Sequence, residues 1–175
     1  MLKTTKWLIG LLTIGLLVCT AKFVFATSTA NLLITDSLAH RVIKVDPITH
    51  DVLWQYGQTD VAGSGTNQLN YPSEAVNLIS GNILIADTEN YRVIEVQPSG
   101  TSGGTIIWQY GQTGVFGSGT NQLNHPTDVR MLNNGNILIT DYNNHRTIEV
   151  QPTYPIGDNH LFSPQLLGSY PNPQS

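Results

Sequence analysis

The sequence has very few charged residues and a single cysteine. Charged residues make up 11% of the chain, against about 25% in typical soluble domains. The cysteine, Cys19, lies in an apolar N-terminal segment. The remainder of the chain can therefore form no disulfide, no thiol nucleophile and no cysteine-based metal site.

Basic residues are especially scarce. After residue 26 the chain has five of them against 12 acidic residues, which gives a net charge of 5 − 12 = −7. The five are Arg41, Lys44, Arg92, Arg130 and Arg146, and they form no basic run. Such a chain repels phosphate backbones, so we expect neither nucleic acid nor an anionic lipid surface as a partner.

The N-terminal segment has the layout of a secretory signal peptide. A basic start is followed by the uncharged, mostly apolar run WLIGLLTIGLLVC and by small residues before Ala26. We predict a signal helix over residues 1–26, cleaved after Ala26, and a mature protein that is secreted, periplasmic or at the cell surface. An uncleaved membrane anchor is the alternative reading, although Lys22 interrupts the apolar run.

Internal repetition is the strongest signal in the rest of the chain. A shift of 54 residues aligns residues 52–98 with residues 106–152, and 30 of the 47 positions are identical without a gap. A third, partial copy aligns residues 31–47 with residues 82–98, with nine of 17 identities. Repetition on this scale indicates an architecture of stacked units.

Each unit has the pattern of short β-strands. Aliphatic and β-branched runs such as Ile83–Ile85 and Val93–Val96 alternate with Asn-Gly, Asp-x-x-Asn and Pro-Ser-Gly turns. Four such strands in about 50 residues are the content of a propeller blade. The sequence therefore predicts an all-β fold, an incomplete β-propeller of about three four-stranded antiparallel blades. The expected blades are 31–56, 72–110 and 126–167 within a repeat region 27–152, and a proline-rich tail, 153–175, adds a possible last strand at 160–167.

The repeats resemble NHL repeats of β-propeller proteins. The resemblance rests on Pro-x-[Glu/Asp] followed by Gly-Asn-Ile-Leu-Ile-x-Asp-x-x-Asn-x-Arg-x-Ile-Glu-Val, and it covers about Asn31 to Pro152. It implies an exported propeller module that binds or scaffolds a protein or a small ligand. It also leaves open an enzyme of the lyase or lactonase type, with zinc or calcium in the central channel.

One acidic and one basic residue recur in every unit. An aspartate ends one strand and an arginine begins the next five residues later, in the pairs Asp36 and Arg41, Asp87 and Arg92, and Asp141 and Arg146. We predict that these pairs are structural, because a catalytic group is needed once whereas a fold determinant is needed in each copy. The repeated Trp-Gln-Tyr segments are likewise expected to pack between neighbouring blades.

The candidates for a binding or catalytic role are His125 and its repeat equivalent Tyr71. The resemblance places both at strand starts near the central channel, where the metal ligands of NHL-like enzymes lie. One histidine cannot hold a catalytic zinc, which takes about three protein ligands. No serine lies in a nucleophile-elbow context, so the sequence assigns no catalytic and no metal-binding residue.

The repeats are too few to close a propeller. Removing the leader leaves 149 residues, less than three units of 51 to 54, whereas propellers typically have about 4 to 8 blades. We therefore expect the chain to be a piece of a larger propeller, or two or more copies to complete a ring as a homo-oligomer.

Overall fold

The computed structural model describes residues 30–154. The predicted signal helix and the possible strand at 160–167 lie outside these residues. Within them, no helix is long and apolar enough to span a membrane.

The described chain forms three antiparallel sheets in sequence order. The strands are β1 (Leu32–Asp36), β2 (Arg41–Val45) and β3 (Val52–Tyr56) in the first sheet; β4 (Pro72–Asn77), β5 (Ile83–Asp87), β6 (Arg92–Pro98) and β7 (Gly104–Tyr110) in the second; and β8 (Pro126–Met131), β9 (Ile137–Asp141) and β10 (Arg146–Val150) in the third. Every sheet is an up-and-down meander. The all-β prediction is confirmed, but among the described residues four strands occur only in the second sheet.

The sheets stack face to face through two apolar layers. The face of a sheet that contacts the following sheet is called here its front face, and the opposite one its back face. The first layer contains Val42, Trp54 and Tyr56 of the first sheet and Ile83, Ile85, Ile94 and Val96 of the second, all buried. The second layer contains Leu84, Ala86, Val93 and Trp108 of the second sheet and Val129, Ile137 and Ile139 of the third. Successive residues of β5 thus alternate between the two layers, so all five are buried.

The strands β4 and β8, which begin the second and third sheets, lie at the inner end of the stack. β4 packs against both β1 and β8. Polar contacts also join β4 to β8: Arg130 Nη1 lies 2.7 Å from Glu74 Oε1, and the Ser73 hydroxyl donates to the Thr127 carbonyl at 2.9 Å. The inner strands therefore converge, as they do around a propeller axis.

The tryptophans join sheets at the outer end. Trp54 Nε1 donates to the Gly103 carbonyl at 2.9 Å, and the backbone of Gln55 exchanges hydrogen bonds with Thr101 and Gly103. The β6–β7 hairpin of the second sheet is thereby fixed on the outer strand of the first. Trp54 and Trp108 are both buried, so they occupy the positions between blades that the sequence predicts.

Glu95, in the middle of β6, is a fully buried carboxylate that the sequence does not mark as unusual. Asn82 Nδ2 donates to one of its oxygens at 2.7 Å, and the hydroxyl of Tyr154 donates to the other at 2.6 Å. Burial and the contact with Glu95 raise the pKa of Tyr154. Tyr154, just after the last repeat, is therefore held against the second sheet.

Two equivalent loops, 57–71 and 111–125, carry the chain from an outer strand to the next inner strand. Each inserts one leucine, Leu69 or Leu123, into the apolar layer beside it. Each begins at a glycine in the left-handed region, and Gly111 has φ +96°. A Cβ on Gly111 would overlap the carbonyl oxygen of Tyr91, so the loop can approach the turn before β6 only through glycine.

We predict that Gly111→Ala lowers the free energy of unfolding by about 1–3 kcal/mol more than Gly114→Ala does. Both residues have positive φ, but a Cβ on Gly114 meets open space. The pair therefore separates steric overlap from backbone strain. Urea unfolding followed by tryptophan fluorescence measures the difference, and equal losses for the two variants would contradict the proposed close approach.

Candidate functional site

Each recurring aspartate anchors the loop that precedes its sheet. Asp87 Oδ1 accepts the backbone N–H of Asn70 at 2.8 Å, while Oδ2 accepts Arg92 Nε and Asn90 Nδ2, also at 2.8 Å. Asn90 in turn donates to the Gly63 carbonyl at 2.8 Å. One carboxylate therefore joins the end of β5, the start of β6 and the incoming loop.

The third sheet repeats this anchor, and the first sheet shows only part of it. Asp141 accepts the N–H of Asn124, the Asn144 amide and Arg146 Nε, each at 2.7 Å. Asp36 pairs with Arg41 at 3.0 Å, but it is 33% exposed. The structure thus brings together all three predicted pairs, and their hydrogen bonds suit a structural role.

The anchor of the second sheet is the most deeply buried of the three. Asp87 is fully buried, and the Arg92 side chain is only 4% exposed. Burial raises the pKa of Asp87, while the Arg92 guanidinium acts in the opposite direction. The loop hydrogen bonds described above complete the shell of this carboxylate.

Aromatic and imidazole rings meet at both junctions between sheets. The rings of His40 and Tyr71 are 4.5 Å apart at 87°, and those of Tyr91 and His125 are 5.2 Å apart at 83°. Tyr71 and His125 come just before the inner strands β4 and β8. Their ring partners, His40 and Tyr91, come just before β2 and β6. The predicted candidates Tyr71 and His125 therefore lie at equivalent junctions, each against the neighbouring sheet. Their orientation toward a central channel stays a prediction.

These rings sit on strained backbone. The φ angles of His40, Tyr71, Tyr91, His125 and His145 all lie between +46° and +56°, in the left-handed region. For a bulky residue this conformation costs about 1–3 kcal/mol. The five residues differ in exposure: His40 is buried, whereas His145 of the third sheet is exposed beside Tyr142.

The junction at His125 has polar partners. His125 Nε2 lies 3.3 Å from Glu89 Oε1, and Nδ1 lies 2.8 Å from Asn124 Oδ1 and 2.7 Å from Asn143 Nδ2. Nδ1 can therefore donate to Asn124 or accept from Asn143, so either tautomer has a partner. The group formed by His125, Glu89, Asn143, Tyr91 and Phe116 is called here the His125 cluster.

Phe116 completes the cluster as its apolar member. Its ring is 5.6 Å from that of Tyr91, and it is 65% exposed. A large aromatic side chain held on a loop but left open to solvent is a surface on which a ligand can stack. The cluster thus combines an aromatic face with a carboxylate, an amide and an imidazole.

Three positions of the cluster differ in chemistry between the repeats. The repeat equivalents of Phe116, His125 and Asn143 are Ala62, Tyr71 and Glu89, although most of the surrounding positions are identical. The equivalent of Glu89 in the first unit is Leu38. Sequence reasoning found His125 but missed Phe116, Glu89 and Asn143; their divergence within a near-identical repeat is the signal that could have found them.

The residues present form no recognisable metal site. Glu89 is the one carboxylate in contact with His125, and across residues 30–154 no group of three or more histidine, cysteine, aspartate or glutamate side chains could hold a metal ion. The zinc or calcium alternative would need further ligands at this junction.

Meandering antiparallel sheets that stack around converging inner strands define the class of β-propeller blades. The family model of the NHL repeat matches residues 123–146, so this part of the chain carries an NHL repeat. The match spans the end of loop 111–125, the first two strands of the third sheet and the Asp141 anchor.

Solved structures share this fold. The chain is similar to an auxiliary nutrient binding protein from Bacteroides ovatus ATCC 8483, with 18% identity and a TM-score of 0.55, and to one from Bacteroides thetaiotaomicron VPI-5482, with 17% identity and a TM-score of 0.53. Each alignment covers 70% of this chain and 35% of the other, so the chain spans about a third of those proteins. No curated protein matches the chain.

We predict that Asp87→Asn destabilises the protein by about 3–5 kcal/mol, because it leaves the Arg92 guanidinium buried without a carboxylate. Asp36→Asn is the matched control in the first sheet, and its partly exposed pair should be worth about 1 kcal/mol or less. Urea unfolding of both variants measures the difference. Similar losses would show that the buried anchor contributes no more than the exposed one.

Proposed function

We propose that the chain is an exported NHL-repeat module that binds a small polar ligand at the His125 cluster. The observation that carries the proposal is that Phe116, His125 and Asn143, which meet at this one junction, differ in chemistry from their repeat equivalents. Positions that hold the fold are the same in neighbouring units, as the Asp87 and Asp141 anchors show. A group that binds a ligand is needed once, and the cluster is unique to the junction between the second and third sheets.

The cluster suits a neutral sugar. The exposed ring of Phe116, next to the partly buried ring of Tyr91, can stack on the C–H face of a pyranose ring. Glu89, Asn143 and His125 offer donors and acceptors to its hydroxyls. Rigid polar groups around an aromatic surface are the usual makeup of a small-molecule site. The net charge of −7 after residue 26 disfavours a polyanionic ligand. The two solved relatives are named as nutrient binding proteins, which agrees with this class of ligand.

Export rests on the N-terminal segment alone. A basic start, an apolar core and small residues before Ala26 direct a chain across a membrane. The function we propose therefore operates outside the cytoplasm, in the periplasm, at the cell surface or in the medium. A protein segment seated on the same cluster, with the module as a scaffold, is the other occupant that an exported propeller could take.

We predict that the protein binds a soluble neutral oligosaccharide and that Phe116→Ala weakens the binding about tenfold, since an aromatic stacking contact is worth about 0.5–1.5 kcal/mol. The substitution installs the residue that the preceding repeat has, Ala62, so the loop should keep its structure. Val115→Ala in the same loop is the control and should bind like the wild type. Isothermal titration calorimetry against a panel of xylo-, cello- and malto-oligosaccharides measures both.

Failure of every oligosaccharide to bind, or equal affinity in Phe116→Ala and the wild type, would reject the sugar site. Metal analysis of the purified protein tests the enzyme alternative of the lyase or lactonase type, in which His125 would be a ligand. Stoichiometric zinc or calcium that is lost in His125→Ala would favour the enzyme over the binding module.

A further inference from the structure

The two ends of the stack carry complementary surfaces. We propose that two copies of this chain associate head to tail, with the back face of the first sheet of each copy packed on the front face of the third sheet of the other. The proposal concerns the assembly of the module and is independent of the ligand at the His125 cluster.

The back face of the first sheet is apolar and uncovered among residues 30–154. Leu32 is 50% exposed, Ile34 is 40% exposed and Val52 is 50% exposed. Their repeat equivalents in the second sheet are Ile83, Ile85 and Ile106. Ile83 and Ile85 are fully buried against the first sheet, and Ile106 packs on the same layer. The first sheet therefore presents the surface that, one repeat later, forms a contact between blades.

What covers this type of surface is visible in the same molecule. The back face of each following sheet packs on the front face of the sheet before it. A front face is thus the established partner of a back face. We therefore expect an uncovered back face of this kind to bind the front face of another blade with the same repeat sequence.

The third sheet has such a front face. Leu138, Thr140 and Thr147 stand at the repeat positions of Leu84, Ala86 and Val93, which pack on the third sheet. A threonine is compatible with this position, because the first sheet has Thr35 there and still packs on the second. Thr140 and Thr147 also line an open depression with Tyr142 and His145, on the side where a further blade would lie.

The arithmetic of the ring selects two copies. Residues 30–154 of each copy contribute three sheets, so these sheets give six blades in two copies and nine in three. Propellers have about 4 to 8 blades, so only two copies fall within the range. Contacts between unlike faces close into a ring when the rotation between copies allows it, and two identical contacts then remove all open faces.

The proposal is tested by measuring the mass of the purified protein in solution by sedimentation velocity. The full chain is expressed in its host, so that any processing of the N-terminal segment takes place. We expect a dimer for the wild type and a monomer for Ile34→Asp, which places a charge in the contact and should weaken dimerisation by more than about a hundredfold, or ~3 kcal/mol. Ile79→Asp is the control, because Ile79 is an equally apolar residue that is 99% exposed in a turn of the second sheet. It should leave the dimer intact.

A second variant tests the direction of pairing. Thr147→Arg blocks the front face of the third sheet and should also give a monomer, whereas a mixture of Ile34→Asp and Thr147→Arg should recover dimers, because one unlike pair of faces is still intact. A wild-type monomer, open chains of three or more copies, or a Thr147→Arg variant that still dimerises would overturn the proposal. Circular dichroism of each variant confirms that the sheets have formed.

Discussion

The second sheet depends on being covered on both of its faces. Alternate residues of β5 and β6 point into two different apolar layers, and almost none reaches water. Burying an aliphatic side chain contributes about 1.5–3 kcal/mol, and an isolated four-stranded sheet would forgo half of that burial. The stack is therefore the stable unit. Trp54 of β3 adds to this stack a hydrogen bond to the β6–β7 hairpin of the following sheet.

The loops between the sheets hold the side chains of the candidate site in place. Because the carboxylates of Asp87 and Asp141 bind both their own strand ends and the incoming loop, each junction has one fixed geometry. The left-handed backbone at Tyr91 and His125 is maintained by these surrounding contacts. A rigid scaffold with variable side chains at its loop ends is the arrangement by which binding proteins change ligands without changing fold.

Much of the fold could be predicted from the sequence, because two units of near-identity fix the period, and the period fixes which side chains are equivalent. The strand positions, the Trp54 contact and the Asp87–Arg92 pair follow from pattern and turn chemistry. Glu95 could not be interpreted in the same way. A carboxylate in a strand normally points to water, and its burial depends on Asn82 and on Tyr154, which lies beyond the repeat. The contacts of His125 with Glu89 and Tyr91 were also hidden, because both residues belong to the second sheet and are distant from His125 in sequence.

Two repeats can be nearly identical because the fold requires the same residues in both, or because both descend from one recent duplication. The identical positions by themselves do not distinguish these two causes. The differences are more informative. Among the 17 positions at which residues 52–98 and 106–152 differ, the substitution of Ala62 by Phe116 adds an exposed aromatic ring to a loop whose backbone contacts are otherwise the same. Such a change brings no gain to folding, because an exposed ring buries little surface. His125 in place of Tyr71 and Asn143 in place of Glu89 also alter the chemistry of this junction. Three differences that create a polar and aromatic surface at one place support the proposal that this junction recognises a ligand.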